Sequence, residues 1–274
     1  MISGLFRGRP MVVASALVLL LVFAAALFGP LLAPYDPYLI NHLAVNQGSS
    51  AAHLLGTDEF GRDILSRLFY GIRPTVTVAI GATIIASVFG TMLGIIGAYG
   101  PNWIGTLIMR GIDVLLAFPP ILLALLAVGF WPSGILTLMV VIGIVYVPHF
   151  GRVAHSATLQ VIRQEFVQAE QSIGSRPLRV VFTAILPNIL SPLVVQATLT
   201  VAAAILLESG LSFLGLGIVP PEPSWGQMIG TARGYLNLNP MYVVWPSLCL
   251  ALTVLAINII GDSLRDLLDP RLRQ

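Results

Sequence analysis

The sequence predicts an all-α, polytopic membrane protein with six transmembrane helices, and three observations predict it. Of 274 residues, 57% are hydrophobic and only 9% charged, with a mean hydropathy of +0.91, whereas a soluble domain carries about 25% charged residues. Six apolar segments, at 11–32, 75–98, 107–130, 135–150, 189–214 and 241–260, approach the roughly 20 residues that one bilayer crossing needs. The arginines between them are unevenly shared, as the positive-inside rule requires of a chain with a fixed orientation.

The first segment follows Arg7 and Arg9, as a secretory signal would. Its apolar run is longer than a signal's and further spans follow, so it reads as an uncleaved first span. With the amino terminus inside, Arg7, Arg9, Arg110, Arg152, Arg163, Arg176, Arg179, Arg265, Arg271 and Arg273 fall inside, and Arg62, Arg67, Arg73 and Arg233 outside. That bias predicts both termini in the cytoplasm. Residues 1–10 then form a cytoplasmic amino terminus, 11–262 the six-span domain and 263–274 a cytoplasmic carboxyl terminus.

Within the second span, Gly90 and Gly94 are spaced for close helix packing. The third carries Pro119-Pro120 near its middle. Proline kinks a helix by removing a donor, and membrane helices tolerate this where neighbours or water satisfy the freed carbonyls. A kinked helix lining a pathway and a purely structural kink are both open readings.

The formal net charge of +2 argues against nucleic acid as a partner, and all 14 basic residues are arginine. A phosphate-binding P-loop uses lysine, so any nucleotide-driven engine is expected on another polypeptide. Cys249, the only cysteine, reads as a small apolar residue and precludes an internal disulfide. The four histidines, His42, His53, His149 and His155, lack the close spacing of metal ligands.

Three polar stretches interrupt the spans. In the outer loop 33–74, Thr57 or Asp58 is expected to cap a short amphipathic helix whose apolar face holds Phe60, Ile64, Leu65, Leu68 and Phe69. The inner loop 151–187 reads as helix, break, helix. A helix over 165–173 presents Phe166, Ala169 and Ile173 on one side, Gly174-Ser175 breaks it, and Ser175 is placed to cap the next helix with Pro177 in its first turn. A short exposed helix of this kind is a handle for a soluble partner or an ordinary interfacial helix. The outer loop 217–240 opens with a proline-rich run, 220–225, expected to be stiff and extended.

Ionisable groups inside spans are functional candidates. Glu208, with Ser209 and Ser212 nearby, is a candidate pathway group, or else a hydrogen-bonding brace between helices. Arg110 and Asp113, three apart, are expected to pair on one helix face. Asp262, Arg265 and Asp266 sit at the inner end of the sixth span.

The inner loop resembles the cytoplasmic signature of ABC importer permeases, which reads Glu-Ala-Ala, three residues, Gly, nine residues, Ile-x-Leu-Pro. Here Gln168-Ala169-Glu170, Gly174 and Ala184-Ile185-Leu186-Pro187 keep its spacing, with Gln168, Glu170 and Ala184 departing from it. The runs 55–67, 208–217, 224–228 and 261–271 resemble the dipeptide, oligopeptide and nickel permease group, and more narrowly its C-type subunit. The resemblance implies a type I ABC importer permease fold in the bacterial cytoplasmic membrane and a non-catalytic subunit. It also implies pairing with a second, related permease, two cytoplasmic ATPase subunits that bind ATP and Mg, and an extracytoplasmic substrate-binding protein. The chain itself is expected to hold no cofactor or metal. Glu165, Gln168, Ala169 and Gly174 are the ATPase-coupling residues it implies, and di- or oligopeptides the cargo, with nickel chelates or another small solute as the alternative. An ion-coupled secondary transporter is the alternative of another class.

Overall fold

The computed structural model describes residues 10–268. Arg7, Arg9, Arg271 and Arg273, which entered the charge count, lie outside the described residues. Helices α1 (Pro10–Leu32), α2 (Ile64–Tyr99), α3 (Asn102–Leu116), α4 (Pro120–Val128), α5 (Ile135–Val161), α6 (Glu165–Ser172), α7 (Pro177–Val180), α8 (Leu186–Phe213), α9 (Trp225–Ala232) and α10 (Met241–Leu268) follow in order. A π-helical turn, Val181–Ile185, joins α7 to α8. Among the described residues five stretches are long and apolar enough to cross a membrane, with α7 to α8 counted as one; α3 and α4, bent by 90° at their junction, bring the number to six when the pair is counted as one crossing.

That bend lies at Pro119-Pro120. Pro119 is the residue before α4 and Pro120 opens it, where a missing N–H costs nothing. The expected kink is therefore a corner that ends one helix and starts another.

Helices α2 and α5 pack along each other at the centre, and Gly90 and Gly94 make their approach possible. A Cβ on Gly94 would sit 2.5 Å from the Ala154 Cβ and 2.6 Å from the Gly151 carbonyl, and one on Gly90 would be 2.6 Å from the Val147 carbonyl. Val78, Ala82 and Ala86 of α2, Leu138, Ile142 and Phe150 of α5, and Ile189, Ile205 and Leu211 of α8 fill the main core. A smaller core of Ala25, Ile64, Leu68, Ile72, Trp225, Met228 and Tyr242 ties α1, α2, α9 and α10 together.

At the end of the bundle bearing residues 33–63, the structure corrects the expected amphipathic helix. Residues 53–63 form a turn-rich loop, closed by an isolated bridge between Thr57 and Asp63. Asp58 does not cap a helix. Its Oδ1 accepts from the backbone N–H groups of Phe60 and Arg62, both at 2.9 Å, and Gly61 adopts a φ of +72°. A side-chain-closed turn followed by a left-handed residue stops a helix here. The cap is instead Asp63, which accepts from the Ser66 N–H at 2.8 Å, so α2 begins at Ile64 and runs 36 residues.

The run 220–225 also differs from its expectation. It turns, through a cis Pro220–Pro221 bond, and Ser224 then caps α9 by accepting from the Gln227 N–H at 3.2 Å. Trp225, Gly226, Gln227 and Met228 are buried, so this segment folds back into the bundle and does not extend away from it.

Candidate functional site

Helix α6 and its surroundings, at the end opposite residues 33–63, form the candidate site. Glu165–Ser172 is helical, as expected, with Gln164 at its N-cap. Gly174 follows with a φ of +77°, which makes the chain turn sharply. Ser175 does not cap the next helix. Arg176 holds the N-cap position without a side-chain bond and Pro177 is first in the helix.

One side of α6 is anchored. Val167 is fully buried, in one cluster with Val180, Ala184 and Ile185. The Glu170 carboxylate accepts from the Thr183 hydroxyl at 2.9 Å and lies 3.7 Å from the Arg179 Nε. Gln171 Nε2 reaches the Tyr99 hydroxyl at 3.4 Å, at the end of α2. The other side is free: Phe166 is 48% and Ile173 81% exposed, and Ala169 between them is exposed too. Glu165 and Gln168 are also exposed. Three apolar side chains are thus held outward, beside a buried valine, on a segment too short to be a stable helix alone.

The π turn next to this site has a cause in the sequence. Pro187 has no N–H for the Thr183 carbonyl and its ring would press on that carbonyl. The backbone widens instead, and the Leu186 N–H bonds to the Val181 carbonyl five residues back. Asn188 Nδ2 donates to the Ala184 carbonyl at 2.7 Å. The signature's proline thus shapes the turn that carries Thr183.

The three candidate pathway residues come together, but inside the chain. Glu208 is 0%, Ser209 4% and Ser212 2% exposed. The Ser212 hydroxyl donates to Glu208 at 2.7 Å and accepts from the Ile218 N–H at 3.1 Å, while Ser209 reaches Glu208 at 3.4 Å. The hydroxyls of Thr75 of α2 and of Ser224, before α9, lie close to this carboxyl group. A carboxyl ringed by hydroxyls from three parts of the chain has the geometry of a brace.

Asp113 pairs with Arg152 of α5 across the helices, not with Arg110 on its own helix. A buried ionic cluster was not among the sequence candidates. Arg62 Nε donates to Asp58 at 2.6 Å, Arg62 pairs with Glu59 at 3.0 Å, and Arg67, fully buried, lies 3.4 Å from Asp58 and donates to the Pro37 carbonyl at 3.1 Å. The four-residue spacing of Asp58 and Arg62 was an available signal; the reach of Arg67 to Pro37 was not.

Residues 90–274 match the family described as binding-protein-dependent transport system inner membrane component. Residues 5–53 match the N-terminal transmembrane domain of oligopeptide transport permease C. The di/tripeptide transport system permease protein DppC of Pseudomonas aeruginosa is 41% identical over 94% of this chain and 87% of its own. The glutathione transport system permease protein GsiD of Pectobacterium atrosepticum is 38% identical over 98% of this chain and 89% of its own. Among solved structures, an inward-facing form of the MetNI methionine ABC transporter superposes with a TM-score of 0.62 at 20% identity, covering 75% of this chain and 96% of that one; at that identity it bears on the fold alone. A bundle of membrane-length helices, a signature loop with its proline-built turn and relatives matched over nearly the whole chain lead to one conclusion: the chain belongs to the binding-protein-dependent transport system inner membrane component family, as a permease subunit of an ABC importer.

Proposed function

We propose that this permease imports short peptides, and that α6 is the helix which docks into a cleft on an ATPase subunit. The observation that carries the docking role is the outward set of Phe166, Ala169 and Ile173 on a helix anchored through Val167. Glu165 and Gln168 flank that face, and Gly174 supplies the turn that presents it. The peptide cargo rests on relatives named for di/tripeptides at 41% identity; those named for glutathione at 38% put modified tripeptides in the same class.

The working unit in this reading is a heterodimer with a second, related permease. Two ATPase subunits hold ATP and Mg, and a binding protein delivers cargo from the other side of the membrane. Catalysis resides in the ATPases. The end bearing α6 faces the cytoplasm, in keeping with Arg163, Arg176, Arg179 and Arg265 near it. The corner between α3 and α4 faces the partner permease across the pathway. Exposed Ala117, Phe118 and Pro119 leave helix-end carbonyls at membrane depth, where lipid could not satisfy them but protein or water could. Closure of the ATPases on ATP would displace α6, and α8 would carry the displacement towards the opposite end. Nucleotide and loaded binding protein would then bias one two-state equilibrium from its two ends.

Co-expression with the partner permease and both ATPases tests the docking role. Ala169→Arg puts a charge on the exposed face and should strip the ATPases from the purified permease pair. ATPases that remain bound and stimulated by loaded binding protein would overturn it.

A further inference from the structure

We propose that Glu170 is a positioning residue: its contact with Thr183 makes α6 and the head of α8 move as one body. This rests on the docking role given to α6 above.

The covalent route from α6 to α8 is soft. It passes through Ile173–Arg176, where Gly174 turns at a φ of +77° and a Cβ on it would meet nothing within 4 Å. It then crosses the π turn 181–185, a widened stretch in an otherwise α-helical span. A push on α6 that travelled only along the chain would be absorbed at these two places.

Side chains provide a shorter route. Thr183 lies in the π turn itself, and its hydroxyl proton faces two acceptors, the Glu170 carboxylate at 2.9 Å and the Arg179 carbonyl at 2.7 Å. The Glu170 side chain is only 20% exposed, so this charge-assisted bond is partly shielded from water. The Arg179 side chain is 72% exposed and 3.7 Å from the carboxylate; such a pair contributes little by itself. Buried Val167, in one cluster with Ala184 and Ile185, is non-directional and permits α6 to slide or roll. The bond to Thr183 is directional and removes that freedom. Glu170 is also one of the three places where this sequence departs from the family signature, which has alanine there.

The test uses the complete complex in nanodiscs, with spin labels at Ser172→Cys and Leu199→Cys in a Cys249→Ser background. These report the distance from exposed points on α6 to exposed points on α8. We expect one narrow distance distribution, the same without nucleotide and in the ATP-locked complex. Thr183→Val, which keeps the shape and loses the donor, should broaden it in both states, as should Glu170→Ala; Thr183→Ser should restore it. Dialanine uptake per ATP hydrolysed should fall about tenfold in the first two variants, the scale of losing one charged hydrogen bond, with the complex still assembled. Distributions that stay narrow in Thr183→Val and Glu170→Ala would overturn the proposal. The Ala169→Arg control separates the two ideas: if it loses the ATPases while Thr183→Val and Glu170→Ala keep narrow distributions, the fastening is overturned and the docking role stands.

Discussion

The Tyr242 hydroxyl donates a 2.8 Å hydrogen bond to Glu59, across 183 positions of sequence. It ties the loop 53–63 to the first turn of α10. Asn239 adds to the tie, with its Nδ2 3.2 Å from the carbonyls of both Gln47 and Thr57. The loop before α2 and the last membrane helix therefore form one structural unit.

Tyr242→Phe removes that donor, while Arg62 still pairs with Glu59. The expected loss is about 1 kcal/mol, the usual net value of one hydrogen bond. It would appear as a lower thermal midpoint of the detergent-solubilised protein and faster proteolytic nicking within 47–56.

Arg67 should be far more sensitive. It is fully buried, 3.4 Å from Asp58, and holds the Pro37 carbonyl. Arg67→Ala leaves buried Asp58 with Arg62 alone, and breaking a buried ionic network costs about 3–5 kcal/mol. Membrane accumulation of a fluorescent fusion should collapse. Arg67→Lys should rescue little, because an ammonium cannot span the same partners as a guanidinium.

Glu208→Gln and Glu208→Leu distinguish a brace from a substrate contact. As a brace, Gln keeps an acceptor for Ser212 and should preserve both stability and transport. Leu leaves buried hydroxyls unpaired and should cost about 1–3 kcal/mol. Loss of dipeptide uptake in Glu208→Gln, with an unchanged thermal midpoint, would return this residue to the pathway.

Gly94→Leu should force α2 and α5 apart, because even a Cβ there would lie 2.6 Å from the Gly151 carbonyl. Expression in the membrane should fall well below that of Gly111→Leu, a glycine with nothing within 4 Å of a Cβ.

The Asp113–Arg152 pair should matter little to stability. Its side chains are 44% and 54% exposed, and exposed pairs contribute about 0–1 kcal/mol. The exchange Asp113→Arg with Arg152→Asp should leave the thermal midpoint within about 2 °C.

Much of this architecture was legible in the chain. Apolar runs of membrane length, a glycine pair at helical spacing and Pro119-Pro120 each act through local chemistry, so the apolar segments, a close helix approach at Gly90 and Gly94 and a bend at Pro119-Pro120 could be read before any coordinates, whereas the partner helix α5 and the sharpness of the corner could not. Gly174 could be read as well, since its turn needs only its own backbone freedom. The same local reading failed over residues 53–63. There the helical periodicity was genuine, but Asp58 was claimed by two backbone N–H groups and two arginines, and Gly61 took a left-handed conformation.

The sequence by itself determined the membrane class, the apolar runs of membrane length, the family signature and the short helix read over 165–173, because hydrophobicity, proline and glycine act on their immediate neighbours. Only the tertiary structure decided which charges pair. Asp113 turned to Arg152 and not to Arg110, Arg67 reached Pro37, the hydroxyls of Thr75 and Ser224 came to lie near Glu208, and Glu170 met Thr183. Those partners lie on different elements. Hydrogen bonds and ion pairs operate over about 3 Å, so which groups meet is settled only when packed helices bring them within that distance.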